Sequence, residues 1–271
     1  MLYDVSASKI CRSDAHGSIN TKHLHLEWTE AFWDSAIFGF PVLQIDQMRI
    51  CGSLASEDFC YFETARDKIE AGLVSCRLSH QFLSESFLLE EHGFRFVEMV
   101  FQPELNDLQA KNLCQVENIQ IFLADHNALD AVIEIAGKAF RNERFYVDPR
   151  LDSALSDLRY CNWVRDSLNN PTQQLYVFSI GERILAFFIT EILEDGTCYW
   201  HLTAVAPNFQ SQGLGRNVWL AMLNFLRARG VNKIRTCIAA RNHRILNLYA
   251  SLGFRYPPPL MTFHWVRNTR M

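Results

Sequence analysis

The chain has 271 residues, of which 49% are hydrophobic and 21% charged, and this suits one large or two small globular domains with filled cores. Its formal net charge of −4 argues against a nucleic-acid-binding surface. The eight cysteines are scattered without a CxxC pair, which predicts neither a disulfide framework nor a metal site and favours a reducing cytoplasm. We expect neither a signal peptide nor a membrane span, because no suitable apolar run is present.

The N-terminal half alternates short predicted strands and helices, at residues 23–28 (strand), 54–72 (helix), 73–78 (strand), 84–93 (helix) and 96–101 (strand). Residues 102–120 are polar and contain Pro103, which is typical of a linker. We therefore predict an N-terminal domain over residues 1–110 and a second domain over residues 111–271.

The second half continues with predicted helices at residues 128–140 and 152–168, separated by a loop, and then with three strands joined by short turns at residues 181–182 and 194–196. Such short connections make these strands antiparallel. The strand that ends near Ala206 leads into a glycine-bearing turn, and a helix with apolar residues at helical spacing follows.

A strand, a glycine turn and a helix N-terminus, in that order, favour an anion site. The first N–H groups of a helix have no intrahelical partner, and the helix dipole adds partial positive charge. Gly213 and Gly215 carry no Cβ, so a phosphate can approach the backbone, and Arg216 offers a charged donor. The spacing fits neither a P-loop nor a dinucleotide fingerprint.

The pattern Gln210-x-x-Gly213-x-Gly215 resembles the pyrophosphate-binding signature of the GCN5-related N-acetyltransferase (GNAT) family. Residues 242–254 resemble the downstream element of the same family, with Ile245 where the family usually has alanine. Over residues 128–265 the chain is similar to this family. The resemblance implies an α/β (α+β) fold with a mixed, mostly antiparallel sheet flanked by helices.

A weak internal repeat is also present. The segment from Cys76 to Gly93 parallels the segment from Cys237 to Gly253, at nearly equal separation. We interpret the N-terminal domain as a smaller, degenerate GNAT-like half that builds sheet and shapes the acceptor site. Two unrelated helix–glycine–strand units are the alternative.

A finer resemblance concerns the acceptor. Residues 33–40, 93–94 and 140–149 resemble the two-domain acetyltransferases of dTDP-4-amino-4,6-dideoxyhexoses, the dTDP-fucosamine type. The resemblance implies a nucleotide-linked amino sugar as acceptor. Four residues of one loop are the candidate acceptor contacts: Arg144, Phe145, Tyr146 and Asp148. Arginine can pair with a diphosphate and an aromatic ring can stack on thymine; a loop salt bridge and core aromatics are the alternative.

The GNAT resemblance implies acetyl-CoA as the cofactor. Backbone groups would hold its pantetheine arm at Leu202, Thr203, Ala204 and Val205. The turn would hold its pyrophosphate through Gln210, Ser211, Gln212, Gly213, Leu214, Gly215 and Arg216. The amides of Asn242 and Asn247 are further candidates, although Asn242 is equally suited to be a helix N-cap.

Tyr249 matches the family tyrosine that protonates the departing thiolate, and a phenol is a suitable acid for this step; the alternative is an aromatic packed in the core. The base that accepts the proton of the amine is open. His201 has a suitable pKa and Glu191 lies in the neighbouring strand. A purely structural role for both, or a water chain, is the alternative.

The sequence thus predicts an acetyl-CoA-dependent N-acetyltransferase acting on a small-molecule amine, with no metal, nucleic-acid or membrane partner and with a homodimer left open. Acetylation of another small amine or of a protein N-terminus is a second reading. A non-catalytic acyl-CoA-binding protein, which would not need Tyr249, is a third.

Overall fold

The computed structural model describes residues 16–210 and 213–267. These residues form two compact units. The first is built from residues 16–100, 147–151 and 258–267, and the second from residues 101–146, 152–210 and 213–257. In the described part of the chain, no helix combines the length and the apolar character needed to cross a membrane.

Up to Phe101 the regular elements are β1 (His16–Asn20), β2 (Leu24–Glu30), α1 (Phe32–Phe38), β3 (Val42–Ile50), α2 (Ala55–Lys68), β4 (Leu73–Ser79), α3 (Leu83–Glu91) and β5 (Arg95–Phe101). The later elements are β6 (Glu104–Leu105), β7 (Gln120–Leu123), α4 (His126–Ala139), α5 (Arg144–Val147), α6 (Ser153–Ser167), β8 (Gln173–Ile180), β9 (Arg183–Ile192), β10 (Cys198–Val205), α7 (Leu214–Ala228), β11 (Ile234–Thr236), β12 (Ile238–Ala239), α8 (His243–Ser251) and β13 (Leu260–Val266).

The sheet of the first unit has the strand order β1-β2-β3-β4-β13-β5. Neighbours pair antiparallel except β3 and β4, which are parallel and joined by α2. A parallel pair needs such a crossover because the chain must return to the same end of the sheet. Phe59 and Phe62 of α2 are fully buried, and Phe62 meets Trp28 of β2 at a centroid distance of 5.1 Å, so α2 closes the core of this unit.

The last strand belongs to the first unit, although residues 111–271 were predicted to form the second domain. β13 pairs with β4 and β5. Partners on both edges satisfy its backbone, and Thr262 and His264 are fully buried in it. Periodicity predicts that a segment is a strand, but it carries no information about which distant strands lie beside it.

The region predicted as a linker also contributes to a core. The second unit begins at Phe101, and β6 pairs antiparallel with β11 at the edge of its sheet. Leu105 and Leu108 are fully buried in the core of the second unit, although residues up to 110 were assigned to the N-terminal domain. The segment was predicted as a linker because most of its residues are polar, and this composition does not indicate that two of its leucines are buried.

The sheet of the second unit has the order β6-β11-β10-β9-β8-β7. Only β10 and β11 are parallel, with α7 as their crossover. On one face of the sheet, the ring of Phe188 in β9 packs on Trp200 of β10 and on Trp219 of α7, each at a centroid distance of 5.1 Å. On the other face, the ring of the adjacent Phe187 lies 6.4 Å from that of Phe140, at the end of α4. Helices therefore cover both faces, and the predicted fold class, a mixed and mostly antiparallel sheet flanked by helices, is confirmed.

The helices that follow the parallel strands, α3 and α8, end in the same way. The amide of Phe94 donates to the carbonyl of Leu89 at 2.9 Å, and the amide of Phe254 donates to that of Tyr249 at 3.0 Å. In both cases the preceding glycine has a positive φ, 83° and 85° respectively, which a residue with a Cβ rarely adopts. This geometry matches the predicted repeat and places Leu89 where the second unit has Tyr249.

The corresponding strands β3 and β10 also share a bulge. Asp46 of β3 has no opposite residue on β2, and His201 of β10 has none on β9. Bulges of this kind bend a strand and increase its twist. Both units therefore contain a strand that is bent just beyond its parallel contact.

Candidate active site

The site is organised by the divergence of β10 from β11. Their parallel ladder ends at the pair Trp200–Thr236, whereas the ladder of β10 with β9 continues to the pair Val205–Ala186. His201 is the bulged residue directly after the last paired position. One edge of β10 from Leu202 to Val205 therefore has no strand beside it in the described chain, which leaves backbone groups free for a ligand.

The turn after β10 is open. Gly213 has φ 76° and ψ −10° and is the N-cap of α7. A Cβ placed on Gly213 or Gly215 would meet none of the described atoms within 4 Å, so the described residues leave space beside both glycines. The first N–H groups of the 15-residue helix α7 have no partner within the helix. Ser211 and Gln212, also predicted to hold the cofactor, lie outside the described residues.

Side chains around this turn tie it to the neighbouring elements. Gln210 Nε2 donates to the carbonyl of Val205 at 3.0 Å, which fixes the loop to the end of β10. Arg216 donates to Ser251 Oγ at 2.6 Å and so joins α7 to α8. Leu214 is half-buried and packs against the core of the unit. Gln210 and Leu214 therefore shape the turn, and Arg216 lies at its rim.

The asparagines of α8 differ in their surroundings. Asn242 is the N-cap of α8, and its Oδ1 accepts the amide of Ile245 at 3.4 Å, which is the alternative role considered for it. Asn247 is exposed on the helix surface. Cofactor contacts by either amide stay predictions.

The phenol of Tyr249 lies where β10 and β11 part. Tyr249 is only 1% exposed, and its ring packs on Phe254 at a centroid distance of 4.8 Å. Burial raises the pKa of Tyr249, while interactions with Trp219, Thr203 and Thr236 act in the opposite direction. Thr236 closes the parallel ladder and Thr203 lies on the free edge of β10, so the phenol is next to that edge.

His201 and Glu191 are brought together as a pair. His201 Nε2 lies 2.9 Å from Glu191 Oε2. The imidazole is 1% exposed and the carboxylate 22%. Burial lowers the pKa of His201, and the hydrogen bond and charge of Glu191 oppose this shift. The other ring nitrogen, Nδ1, is buried and has no hydrogen-bond partner among the described residues.

The loop predicted to contact the acceptor contains the short helix α5. Phe145 is 1% exposed and lies under two guanidinium groups, those of Arg144 at 4.6 Å and Arg159 at 4.8 Å. Such cation–π packing fixes the ring inside the unit. Phe145 is thus a core aromatic and not a stacking surface, whereas Tyr146 and Arg144 are partly exposed.

Asp148 is held by two partners within the first unit. Arg150 Nε lies 2.9 Å from Oδ1, and both Arg150 Nη2 (2.8 Å) and His264 Nδ1 (2.9 Å) approach Oδ2. Burial would raise the pKa of Asp148, but these hydrogen bonds outweigh it and hold the pKa well below its usual range. The carboxylate is 1% exposed, so Asp148 is a structural ion-pair residue and not an acceptor contact.

Two polar neighbours of Tyr249 were not predicted. Trp219 lies on the buried face of α7 and Thr236 ends β11, and helical or strand spacing marks both only as core positions. Nothing in the linear sequence distinguishes them, because their relation to the phenol depends on how α7, α8 and β11 pack.

A bulged strand, its divergence from a parallel neighbour and the helix N-terminus behind it agree with the GCN5-related acetyltransferase fold expected from the sequence. Residues 129–254 match the model of the acetyltransferase (GNAT) family. This segment contains the free edge of β10, the glycine turn and Tyr249.

Curated relatives match parts of the same region. The spore coat polysaccharide biosynthesis protein SpsD of Bacillus subtilis is 23% identical over 138 residues, which cover 50% of this chain and 46% of that protein. A ribosomal protein bS18-alanine N-acetyltransferase of Haemophilus ducreyi is 32% identical over 95 residues, or 34% of this chain and 65% of that protein. The chain therefore spans less than two thirds of the length of these relatives.

A solved structure resembles nearly the whole fold. A tandem GNAT protein from the clavulanic acid biosynthesis pathway aligns with a TM-score of 0.58 over 90% of this chain and 79% of that chain, at 12% identity. At this identity the likeness concerns the fold alone. It agrees with the local architecture that both units share.

Proposed function

We propose that this chain transfers the acetyl group of acetyl-CoA to a primary amine of a small acceptor. One observation carries the proposal: the open turn at Gly213 and the phenol of Tyr249 lie along the same free edge of β10. An anion site at one end of an unpaired edge and a proton donor at the other suit a long acyl carrier with a diphosphate.

The described residues fit such a carrier. The described residues leave space at Gly213 and Gly215, and the first N–H groups of a helix, which have no intrahelical partner, can bind a pyrophosphate there. Backbone groups on the unpaired edge of residues 202–205, apart from the Val205 carbonyl that accepts from Gln210, can pair with the pantetheine arm, and an N–H group there can donate to the acyl oxygen. When bound, acetyl-CoA supplies an acetyl thioester. The contribution of the chain is to hold and orient it.

The proposed base is His201, oriented by Glu191. With the carboxylate ionised, Nε2–H of His201 donates to Glu191, and Nδ1 is left as the proton acceptor. A lowered pKa keeps the imidazole neutral at physiological pH, which a base requires. Glu191 is partly exposed and therefore connects the buried imidazole with solvent.

The proposed acid is Tyr249. Its Oη gives a proton to the leaving sulfur, and burial keeps the phenol protonated until that step because it raises the pKa. A non-catalytic acyl-CoA-binding protein would have no use for a phenol at the end of the free edge.

For the acceptor we propose an amino sugar, in the finer form a dTDP-linked one. The polysaccharide-related name of SpsD and the resemblance of residues 140–149 to the dTDP-amino-sugar enzymes support this class. Of the four predicted acceptor contacts, Arg144 and Tyr146 are partly exposed, whereas Phe145 and Asp148 are buried inside their units. An N-terminal alanine is the second candidate, because the Haemophilus relative is named for that acceptor.

A panel assay tests both acceptors. Purified protein is incubated with acetyl-CoA and either dTDP-4-amino sugars, unlinked amino sugars, or a peptide that begins with alanine, and released CoA is measured. Turnover only with sugar nucleotides supports the finer proposal, and turnover only with the peptide supports the second candidate. If no amine in the panel releases CoA above the buffer rate, the proposed acceptor classes are wrong.

A further inference from the structure

Two buried tryptophans flank the ring of Tyr249. Trp219 and Trp200 lie 6.3 Å and 6.4 Å from it between ring centroids, and they are 1% and 0% exposed. The indole N–H of each is buried and has no acceptor of standard hydrogen-bond geometry among the described residues. A buried donor without a partner destabilises a protein and is uncommon, so each requires an explanation.

The two indoles differ in their polar neighbours. The indole of Trp200 interacts with the thiol of Cys198, whose sulfur is a weak acceptor for the indole N–H. The ring of Trp219 meets that of Tyr249 edge to face, at an interplanar angle of 69°, and its interaction with the phenol opposes the rise in the pKa of Tyr249 caused by burial. The ring of Trp200 meets that of Tyr249 at a tilt of only 39°. Of the two, Trp219 is therefore the one that acts on the phenol.

The donor pattern fixes the direction of the phenol proton. An indole N–H can only donate, so the oxygen of Tyr249 must accept on the side of Trp219. The proton of Tyr249 is thus directed away from Trp219.

We propose that Trp219 is a positioning residue for Tyr249. Its indole N–H donates to the phenol oxygen, and this bond tightens as the O–H bond breaks and the proton passes to the leaving sulfur. The N–H bond of Trp219 stays intact throughout. Hydrogen bonds to a charged acceptor are the stronger ones, and catalytic hydrogen bonds are often long in the unliganded enzyme. The inference rests on the proposed role of Tyr249 as proton donor.

A titration of the phenol tests this without turnover. The eight tyrosines are replaced by 3-fluorotyrosine, and the ¹⁹F resonance of residue 249 is identified by its loss in Tyr249→Phe. Trp219→Phe should raise the pKa at residue 249, whereas Trp200→Phe, with a ring at the same distance, should leave it nearly unchanged. Tyr256, the other titratable group that acts on the phenol, is the same in both variants. Equal shifts in the two variants, or none in Trp219→Phe, would overturn the inference.

Kinetics give the second readout. Trp219→Phe should lower kcat about tenfold with KM for acetyl-CoA unchanged, and it should cause no further loss in a Tyr249→Phe background. An equal loss in both backgrounds would mean that Trp219 does not act through Tyr249. If Trp219→Phe does not fold, benzothienylalanine at this position removes the N–H and keeps the ring outline. Absence of turnover with every amine of the panel shows that the proposed acceptor classes are wrong, while the ¹⁹F titration still decides the role of Trp219.

Discussion

Glu191 and His201 face each other across the antiparallel pair β9–β10, with Oε2 and Nε2 2.9 Å apart, directly beside the bulge in β10. The pair is a diagonal one across the ladder, because Glu191 lies opposite Tyr199 and His201 follows two residues later on the same face of β10. Burial lowers the pKa of His201, and the carboxylate of Glu191 limits that shift.

Glu191→Gln should therefore change the pH profile in a defined direction. A base works only when neutral, so activity is lost as pH falls through the pKa of His201. Removing the charge of Glu191 lowers this pKa further, which moves the acid limb of kcat/KM to lower pH. The weaker base should also reduce the plateau about tenfold. Glu194→Gln, at an exposed glutamate three residues along the chain, is the control and should leave the profile in place. An acid limb that stays or rises in Glu191→Gln would exclude His201 as the base.

Gly215→Asp should move stability and cofactor affinity in opposite directions. A carboxylate in the first turn of α7 interacts favourably with the helix dipole, by about 0.3–1 kcal/mol, and the added Cβ meets none of the described atoms within 4 Å. The same charge repels a diphosphate, so the Kd for CoA should rise about tenfold or more. Urea unfolding and calorimetric titration measure the two effects. A variant that binds CoA as well as the parent would show that the diphosphate lies elsewhere.

Gly213→Ala provides the contrasting variant. Its φ of 76° is in the left-handed region, where a side chain destabilises the fold by roughly 1–2 kcal/mol. The free energy of unfolding should fall by about that amount in urea titrations. No such loss would mean that the turn rearranges without strain.

Much of the second unit could be predicted because its signals are local. The turn at Gly213, the cap at Gly253 and the alternation of β8 to β10 each depend on neighbours within one element. The residues His201 and Glu191 were predicted only as two separate candidates, since their contact depends on the register between β9 and β10. The sheet to which β13 belongs, and the burial of Phe145 and Asp148, depend on packing between segments far apart in sequence.

Asp148→Asn should destabilise the protein in a pH-dependent manner. Removing one partner of a buried ion pair leaves Arg150 without its carboxylate, which lowers the free energy of unfolding by about 3 kcal/mol near neutral pH. The pKa of Asp148 is depressed in the fold, so its stabilisation is present above the unfolded value of about 4 and is lost as pH falls below it. The gap between the wild type and the variant should therefore shrink in urea titrations at acid pH. A gap that is constant from neutral to acid pH would contradict this assignment.

The chain should bind one CoA. In the first unit, the amide of Ile50 at the end of β3 donates to Glu85 Oε1 of α3 at 3.1 Å. A Cβ at Gly52, in the turn after β3, would lie 2.3 Å from His23 Nδ1. The edge and the turn that are open in the second unit are thus occupied by side chains in the first. Calorimetric titration should give a stoichiometry near one, and a value near two would show that the first unit also binds CoA.

The role of Tyr249 is the central claim, and a single pair of measurements on Tyr249→Phe tests it most directly. The variant keeps the buried ring and removes only the hydroxyl beside Thr203 and Thr236. We predict that kcat for acetyl transfer falls about 100-fold, the scale of general acid catalysis, while the Kd for acetyl-CoA stays within about twofold. A variant that binds acetyl-CoA normally and retains the full rate would contradict the account.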